Sequence, residues 1–289
     1  MADVLYFNGR FTTTDEPLVR VEDRGLQFGD SLYEVIKFLD SKARFARGHW
    51  ERLVRGMDFL EIPHPWPDWN AFGKTVQDVL DRTEFDDGIL YVQVTRGVSE
   101  RLHFSQAEMT PTAIVYSRTL KFPDEDAKRK GVGGHVSEDL RWKHCDIKTV
   151  NLLPNVISKR NAVRAGASEA VMIDDGFVTE GAISNLFLIR DGQIVTHPAD
   201  HQILPGIVRN RVIELARELG IPIEERAVPE TELSSFEEVF LTSTTQGVMP
   251  MTSIDGEPVG EGTIGPITEK LQTAFDELEH SDDAVDAIS

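Results

Sequence analysis

Apolar residues along the chain recur at two spacings, every second residue or every third to fourth, and the spacing changes repeatedly. The first spacing predicts half-buried strands, and the second predicts amphipathic helices. Two short runs at residues 4–11 meet at Asn8-Gly9, a pair typical of a β-hairpin turn. Strands are also predicted at 33–38, 89–95, 112–116 and within 236–251, with hairpin turns at 174–176 and 191–192. Helices are predicted at 49–60, from an N-cap at Asp68 or Asn70 to residue 80, at 154–165, from 206 towards a stop at Gly220, and at 267–278.

These elements fall into two unequal halves, so the predicted fold class is α/β with α+β character. A polar stretch containing Pro123 is the best linker candidate between the halves. We therefore predict a domain at residues 1–120, a linker at 121–130 and a second domain at 131–280. The acidic end of the chain, residues 281–289, is predicted to be a disordered tail.

Composition narrows the class of protein. With 40% hydrophobic and 27% charged residues, the 289-residue chain has the composition of an ordinary globular protein. No apolar run approaches the roughly 20 residues that cross a bilayer, and the start of the chain lacks signal-peptide features. Cys145 is the single cysteine, so no internal disulfide is possible and a cytoplasmic location is expected. The net charge of −19 argues against nucleic acid and anionic membranes as partners.

Two charged residues are candidates for chemistry. Lys148 lies between a polar run at 144–146 and the mostly apolar run 149–153, where an amine can be held in a cleft. Glu180 follows within the run 178–187. An amine and a carboxylate in one cleft are what a pyridoxal phosphate (PLP) enzyme requires. The amine forms a Schiff base with the cofactor, and the carboxylate keeps the pyridine nitrogen protonated. Taken singly, such residues are more often solvated surface groups.

The two runs together resemble the fold-type-IV PLP enzymes, which include D-amino-acid transaminases, branched-chain aminotransferases, R-selective amine transaminases and aminodeoxychorismate lyases. The resemblance extends from Phe7 to the helix ending near Leu278 and is strongest towards the D-amino-acid transaminases. It implies two α/β domains with the cofactor between them. It also implies that Lys148 and Glu180 are the catalytic residues.

Residues 203–208 run directly into a predicted helix, and the free amides and dipole of a helix start favour a phosphate. A plain loop-to-helix junction is the commoner interpretation of such a run. In the resemblance, the amides of Ile207 and Val208 bind the cofactor phosphate. Relatives often carry threonine where this chain has Val208, so binding here depends more on amides and other groups. The implied cofactor-binding residues are Arg52, Lys148, Glu180, Leu204, Gly206, Ile207, Val208, Ser243 and Thr244.

Arg101 and His103 stand two residues apart in an extended loop, so their side chains point the same way and can hold a carboxylate. A solvated basic loop is the alternative. With Tyr33, the pair resembles the carboxylate pocket of D-amino-acid transaminases. In relatives this loop reaches the partner subunit's site, which implies a homodimer. The histidines show no metal-ligand spacing, so no metal is expected. The implied substrate-binding residues are Tyr33, Val35, Lys37, Arg101 and His103.

The resemblance predicts a transaminase that moves the amino group of a D-amino acid, such as D-alanine, to a 2-oxo acid, such as 2-oxoglutarate, through a Schiff base on Lys148. Three alternatives on the same fold are a branched-chain L-amino-acid transaminase, an R-amine transaminase and an aminodeoxychorismate lyase. Arg101 and His103 argue against a purely apolar substrate pocket. A non-catalytic binding protein is disfavoured because both Lys148 and Glu180 are present.

Overall fold

The computed structural model describes residues 4–104 and 108–287, which form two compact units. Within the described residues, the first unit consists of 4–121, 147–151 and 280–287, and the second of 122–146 and 152–279. Each unit combines a sheet with helices, which confirms the predicted mixed fold class. Among the helices of the described residues, none has the length and apolarity needed to cross a membrane.

The first unit is built on a six-stranded antiparallel sheet in the order β2-β1-β6-β5-β3-β4. Its strands are β1 (Val4–Phe7), β2 (Arg10–Thr13), β3 (Ser31–Leu39), β4 (Lys42–Ala43), β5 (Gly88–Thr95) and β6 (Thr112–Arg118). Its helices are α1 (Arg24–Phe28), α2 (Ala46–Leu60), α3 (Trp69–Leu80) and a 3-10 turn at Asp282–Ala284.

Local signals in the sequence account for much of this unit. Asn8 and Gly9 have φ angles of 46° and 86°, the left-handed pair that a tight hairpin turn requires, which confirms the predicted turn. Asp68 is the N-cap of α3, because its side chain accepts from the amide of Ala71. The apolar faces of α2 and α3 pack against the sheet in one core, which includes the fully buried Met57 and Phe72.

The second unit is built on a ten-stranded mixed sheet in the order β12-β11-β10-β14-β15-β7-β8-β9-β13, with β16 paired to β15. Its strands are β7 (Val132–Glu138), β8 (Glu169–Asp174), β9 (Phe177–Val178), β10 (Asn185–Arg190), β11 (Gln193–Thr196), β12 (Ile223–Glu225), β13 (Val228–Pro229), β14 (Glu238–Ser243), β15 (Gly247–Ile254) and β16 (Glu257–Pro258). Its helices are α4 (Glu125–Lys130), α5 (Leu153–Arg164), α6 (Ile207–Glu218), α7 (Pro266–His280) and a 3-10 turn at Glu230–Ser235. The helices predicted at 154–165, 206–220 and 267–278 are therefore present, with ends shifted by a few residues.

The domain limits predicted at 120 and 131 stay a prediction. The segment predicted as the linker between them, however, contains a helix. Residues 125–130, placed in the linker, form helix α4. Asp124 caps this helix by accepting from the amide of Ala127, and three basic residues lie in its last turn, where they favour the helix dipole. Lys128 also pairs with Asp276 of α7 at 2.6 Å. The polar composition that suggested a linker is therefore that of a short helix with an N-terminal cap.

Two further segments differ from the predicted organisation. Residues 147–151 belong to the first unit, although they fall within the predicted second domain. The segment predicted as a disordered tail is ordered over 281–287, while residues 288–289 lie outside the described residues. Ala284 is buried and its carbonyl accepts from the amide of Phe45 at 2.7 Å, and the indole of Trp69 donates to the carbonyl of Ala287 at 3.0 Å. Backbone hydrogen bonds and one buried residue hold this end despite its acidic composition.

Candidate active site

Lys148 is held by its backbone along the start of β3. The amide of Tyr33 donates to the carbonyl of Lys148 at 3.1 Å, and the amide of Val150 donates to the carbonyl of Ser31 at 3.2 Å. The side chain of Lys148 is half-buried, and its Nζ donates to the hydroxyl of Tyr33 at 3.3 Å. Nζ also lies 4.3 Å from the centroid of the Tyr33 ring. Strand pairing therefore fixes the base of the lysine while a phenol orients its amine.

Tyr33, Val35 and Lys37 share one face of β3, since they alternate along the strand. Tyr33 stacks on Tyr91 of the neighbouring strand, with centroids 5.9 Å apart. Lys37 is buried, although it is a lysine on a sheet face. Three of the predicted substrate residues thus line the sheet face that meets the amine of Lys148.

The opposite face of β3 carries Glu34, which is completely buried with Arg52 and His49 of α2. Arg52 donates to both carboxylate oxygens of Glu34, from Nε at 2.7 Å and from Nη2 at 2.8 Å. His49 Nδ1 lies 2.7 Å from Glu34 Oε2. Burial alone would raise the pKa of Glu34, but Arg52 and His49 lower it well below its usual range. Arg52 was predicted to bind phosphate, and that assignment stays a prediction.

Arg101 and His103 both lie against the ring of Phe28 in α1. The guanidinium carbon of Arg101 is 5.1 Å from the ring centroid, and the His103 ring is centred 5.6 Å from it. Arg24 fixes the loop by donating to the carbonyls of Leu102 at 2.7 Å and His103 at 3.3 Å. Both candidate side chains are exposed. The loop therefore exposes the side chains of Arg101 and His103, and Arg24 holds the loop backbone in place.

Glu180 follows β9 in the second unit and is almost completely buried. It accepts from Asn185 Nδ2 at 2.7 Å, from the amide of Leu204 at 3.1 and 3.2 Å, and from Arg141 Nη1. Burial raises the pKa of Glu180 to about 7, and the opposing charge of Arg141 does not reverse that shift. A carboxyl group of this kind can hold a proton or share it with a nitrogen base near neutral pH.

Arg141 gives most of its hydrogen bonds to a second carboxylate, Asp139. Nε and Nη2 of Arg141 donate to the two oxygens of Asp139 at 2.9 and 2.6 Å, and its amide donates at 3.1 Å. Thr179 donates its hydroxyl to Asp139 at 2.9 Å. These bonds hold the pKa of Asp139 below its usual value, although burial opposes them. Arg141 is therefore shared between two buried carboxylates, and Asp139 accepts more of its hydrogen bonds than Glu180 does.

The start of α6 has the features of an anion site. Gly206 is the N-cap and supplies no side chain, so the first amides of the helix, including those of Ile207 and Val208, have no partner within the helix. A Cβ at Gly206 would lie 2.1 Å from Asn185 Oδ1, so glycine is required there. Asn185 also donates to the carbonyl of Leu204 at 2.8 Å. One asparagine thus links Glu180 to the turn that opens α6.

The end of β14 supplies hydroxyl groups near this helix, because α6 packs against β14. Thr242 pairs with Asn185 across the sheet. The hydroxyl oxygens of Thr242 and Ser243 are buried and make no hydrogen bond to any residue that the structure describes. Thr244 begins the turn that follows the strand. Free hydroxyls and helix amides fit the oxygens of a phosphate group, so this part of the chain suits the cofactor that the sequence implies.

Sequence analysis missed several residues that support these groups. Glu34 occupies a position where β3 otherwise points apolar residues inward, and His49 and Arg52 lie three residues apart on one helix face, which is the signal that would have found them. Arg141 and Asn185 gave no local signal. The supporting residues that the structure adds are Arg24, Phe28, Glu34, His49, Asp139, Arg141, Thr179 and Asn185.

Residues 31–254 match the family Amino-transferase class IV. The chain belongs to this family. It is 40% identical over 269 residues to a D-alanine aminotransferase of Bacillus licheniformis, covering 93% of this chain and 94% of that protein. A D-alanine aminotransferase of Staphylococcus aureus is 37% identical over 273 residues, covering 94% and 96%. Among solved structures, the branched-chain amino acid aminotransferase of Escherichia coli superposes with a TM-score of 0.90 at 27% identity, covering 100% of both chains.

Membership places Lys148 and Glu180 in an aminotransferase, and the resemblance to fold-type-IV enzymes is confirmed. The individual site residues stay predictions. Within each unit, the structure brings some of them together. Lys148 meets Tyr33 in the first unit, and Glu180 meets the turn at Leu204 in the second.

Proposed function

We propose that this class IV aminotransferase is a PLP-dependent D-amino-acid transaminase, which moves the amino group of a D-amino acid such as D-alanine to a 2-oxo acid such as 2-oxoglutarate. The observation that carries the substrate class is the 40% identity to a D-alanine aminotransferase over 93% of the chain. PLP, when bound, withdraws electrons from the substrate Cα and carries the amino group between the two substrates.

Lys148 holds the cofactor covalently and moves the proton at the substrate Cα in this proposal. The contact between Lys148 Nζ and the Tyr33 hydroxyl at 3.3 Å supports the role, because it orients the amine. Glu180 keeps a proton on the ring nitrogen, for which a buried carboxyl with a pKa of about 7 is suited. The amides of Ile207 and Val208 and the hydroxyl of Ser243 hold the phosphate, with Arg52, Leu204, Gly206 and Thr244 completing the cofactor-binding set.

Arg101 and His103 bind the substrate carboxylate, with Tyr33, Val35 and Lys37 lining the same pocket. The loop that carries them also exposes two large apolar side chains, with Leu102 53% and Phe104 75% accessible. Exposed apolar groups beside a predicted substrate trap support the proposal that the loop acts in a homodimer, where it completes the partner protomer's pocket. A cytoplasmic location is proposed from the single cysteine.

Replacement of the lysine tests the reaction. Lys148→Ala should abolish both D-alanine-dependent transamination and the yellow absorbance of the protein with added PLP. Lys143→Ala is the matched control, since Lys143 lies five residues earlier and its side chain is 70% exposed. Retention of transamination by Lys148→Ala would refute the assignment. A panel of D- and L-amino acids with 2-oxoglutarate separates the main proposal from the branched-chain alternative, which the likeness to the Escherichia coli enzyme favours.

Mixed dimers test the shared pocket. Arg101→Ala and Lys148→Ala should each be inactive alone. A co-expressed mixed dimer should regain activity, because one of its two sites combines an intact lysine with an intact loop from the other chain. Arg82→Ala is a control for a surface arginine over an aromatic ring, since Arg82 lies 4.0 Å above Phe11. Absence of recovery in the mixed dimer would contradict the shared pocket.

A further inference from the structure

Arg141 divides its hydrogen bonds unequally between two buried carboxylates. Asp139 accepts hydrogen bonds from two side-chain nitrogens and the backbone amide of Arg141, whereas Glu180 accepts one hydrogen bond, from Nη1. Side-chain exposure is 7% for Arg141 and 6% for each acid, so solvent does little to screen these charges. The unequal division of the Arg141 hydrogen bonds therefore occurs where it can affect the charge of both carboxylates.

The remaining contacts of Glu180 leave room for one more partner. Its Oε1 accepts from Arg141 and from the amide of Leu204, and its Oε2 accepts from Asn185 and shares the same amide. A carboxylate has about four acceptor positions, and three donors occupy Glu180 when the shared amide of Leu204 is counted once, so one position remains for a further N–H donor. The strength of that hydrogen bond depends on how much of the carboxylate charge Arg141 has already neutralised.

We propose that Asp139 is a positioning residue for the cofactor ring: by accepting most of the hydrogen bonds of Arg141 and balancing part of its charge, it leaves Glu180 basic enough to keep the ring nitrogen protonated. This inference rests on the proposed function of Glu180. Without Asp139, the full charge of Arg141 would face Glu180 and the ring. A nearby positive charge disfavours a second one, so the nitrogen would lose its proton more readily.

The test compares PLP with 1-deazapyridoxal phosphate, in which a C–H group replaces the ring nitrogen. Affinities of the cofactor-free protein for both compounds are measured by tryptophan fluorescence near neutral pH. The wild type should prefer PLP, and Glu180→Gln should lose that preference. Asp139→Asn should weaken PLP binding about tenfold, the change that one pKa unit represents, and leave the deaza compound nearly unaffected. Asp126→Asn, the matched control, should bind both compounds like the wild type, because Asp126 is an exposed carboxylate paired with the exposed Arg129 of α4.

A double variant covers the case in which Asp139→Asn fails to fold. Asp139→Asn with Arg141→Gln removes both charges, which a buried site tolerates better than the loss of one. Its preference for PLP should be at least that of the wild type. Equal weakening of both compounds in Asp139→Asn, no weakening at all, or loss of preference in the double variant would overturn the role of Asp139 alone. A wild type with no affinity for PLP would overturn the proposed function and this inference with it.

Discussion

Glu34 in the first unit and Glu180 in the second are buried carboxylates that each touch an arginine, yet their proton affinities shift in opposite directions. Glu34 has Arg52 bound through two nitrogens and His49 at a third contact, and its pKa lies well below its usual range. Glu180 shares Arg141 with Asp139, and its pKa is raised to about 7. Burial is similar at the two sites. Arg52 and His49 both face Glu34, whereas Arg141 is shared between Glu180 and Asp139, and this difference in neighbouring charge accounts for the opposite directions of the two pKa shifts.

The largest expected effect is on stability at Glu34. Glu34→Gln leaves the charge of Arg52 buried without its carboxylate, so the free energy of unfolding should fall by about 3–5 kcal/mol. Urea denaturation of the cofactor-free protein measures this loss, and hydrogen exchange of the β3 and α2 amides locates it. A loss no greater than that of the matched change at Glu180 would break the comparison.

Glu180→Gln is that matched change, and its effect on stability should be smaller. Arg141 keeps Asp139 as its counter-ion, and a glutamine can still accept from Leu204, so the expected loss is about 1 kcal/mol. Transamination should nevertheless fall steeply, since an amide cannot keep the ring nitrogen protonated. Unfolding and turnover measured on one preparation should thus rank the two variants in opposite orders. Full activity in Glu180→Gln would show that transamination does not require this carboxylate, and the expected difference in function between Glu34 and Glu180 would be wrong.

The pH dependence of stability should carry opposite signs at the two sites. Glu34 has a lowered pKa, so its contribution is present above about 4.5 and is lost as the pH falls. Burial also lowers the pKa of His49 from 6.5, although Glu34 opposes that shift, and its contribution is likewise lost on the acid side. The pKa of Glu180 rises from 4.5 to about 7, so the cofactor-free protein binds extra protons in that window and loses stability as the pH rises through it.

Unfolding of the cofactor-free protein at about pH 5 and about pH 8 checks these signs, because the window of Glu180 lies between them. Glu180→Gln should gain stability relative to the wild type on going from the lower pH to the higher one. A third measurement at about pH 3, below the usual carboxyl range, tests Glu34, because the fall in stability on the acid side should be smaller in Glu34→Gln than in the wild type. A parallel pH profile for the wild type and Glu180→Gln would show that Glu180 is not a high-affinity proton site.

The sequence predicts those features of the fold that depend on local spacing. The hairpin at Asn8-Gly9, the Asp68 cap and the helices α2, α3, α5 and α6 all follow from signals within a few residues. Resemblance to a family pointed to Lys148 and Glu180 as the candidates. The partners that set their chemistry lie far along the chain, since Arg52 is 18 residues from Glu34 and Arg141 is 39 residues from Glu180. Neither periodicity nor composition encodes such pairings.

The smallest expected effect concerns how α2 is fixed, because this helix carries both partners of Glu34. Phe45 occupies the N-cap of α2 with a left-handed φ of 53° and provides no side-chain cap. Asp286 supplies one from 239 residues away, accepting from the amide of Arg47 at 2.9 Å. Asp286→Asn should lower the free energy of unfolding by about 1 kcal/mol or less, the range of a helix cap. Asp283→Asn is the control, because Asp283 is exposed and lies in the 3-10 turn that precedes Asp286. Protection of the α2 amides should fall in the first variant alone, whereas the region around Glu180 should be unchanged, since it belongs to the other unit. Loss of protection at β8 as well would mean that the end of the chain stabilises both regions, and the two carboxylate sites could then no longer be treated as independent.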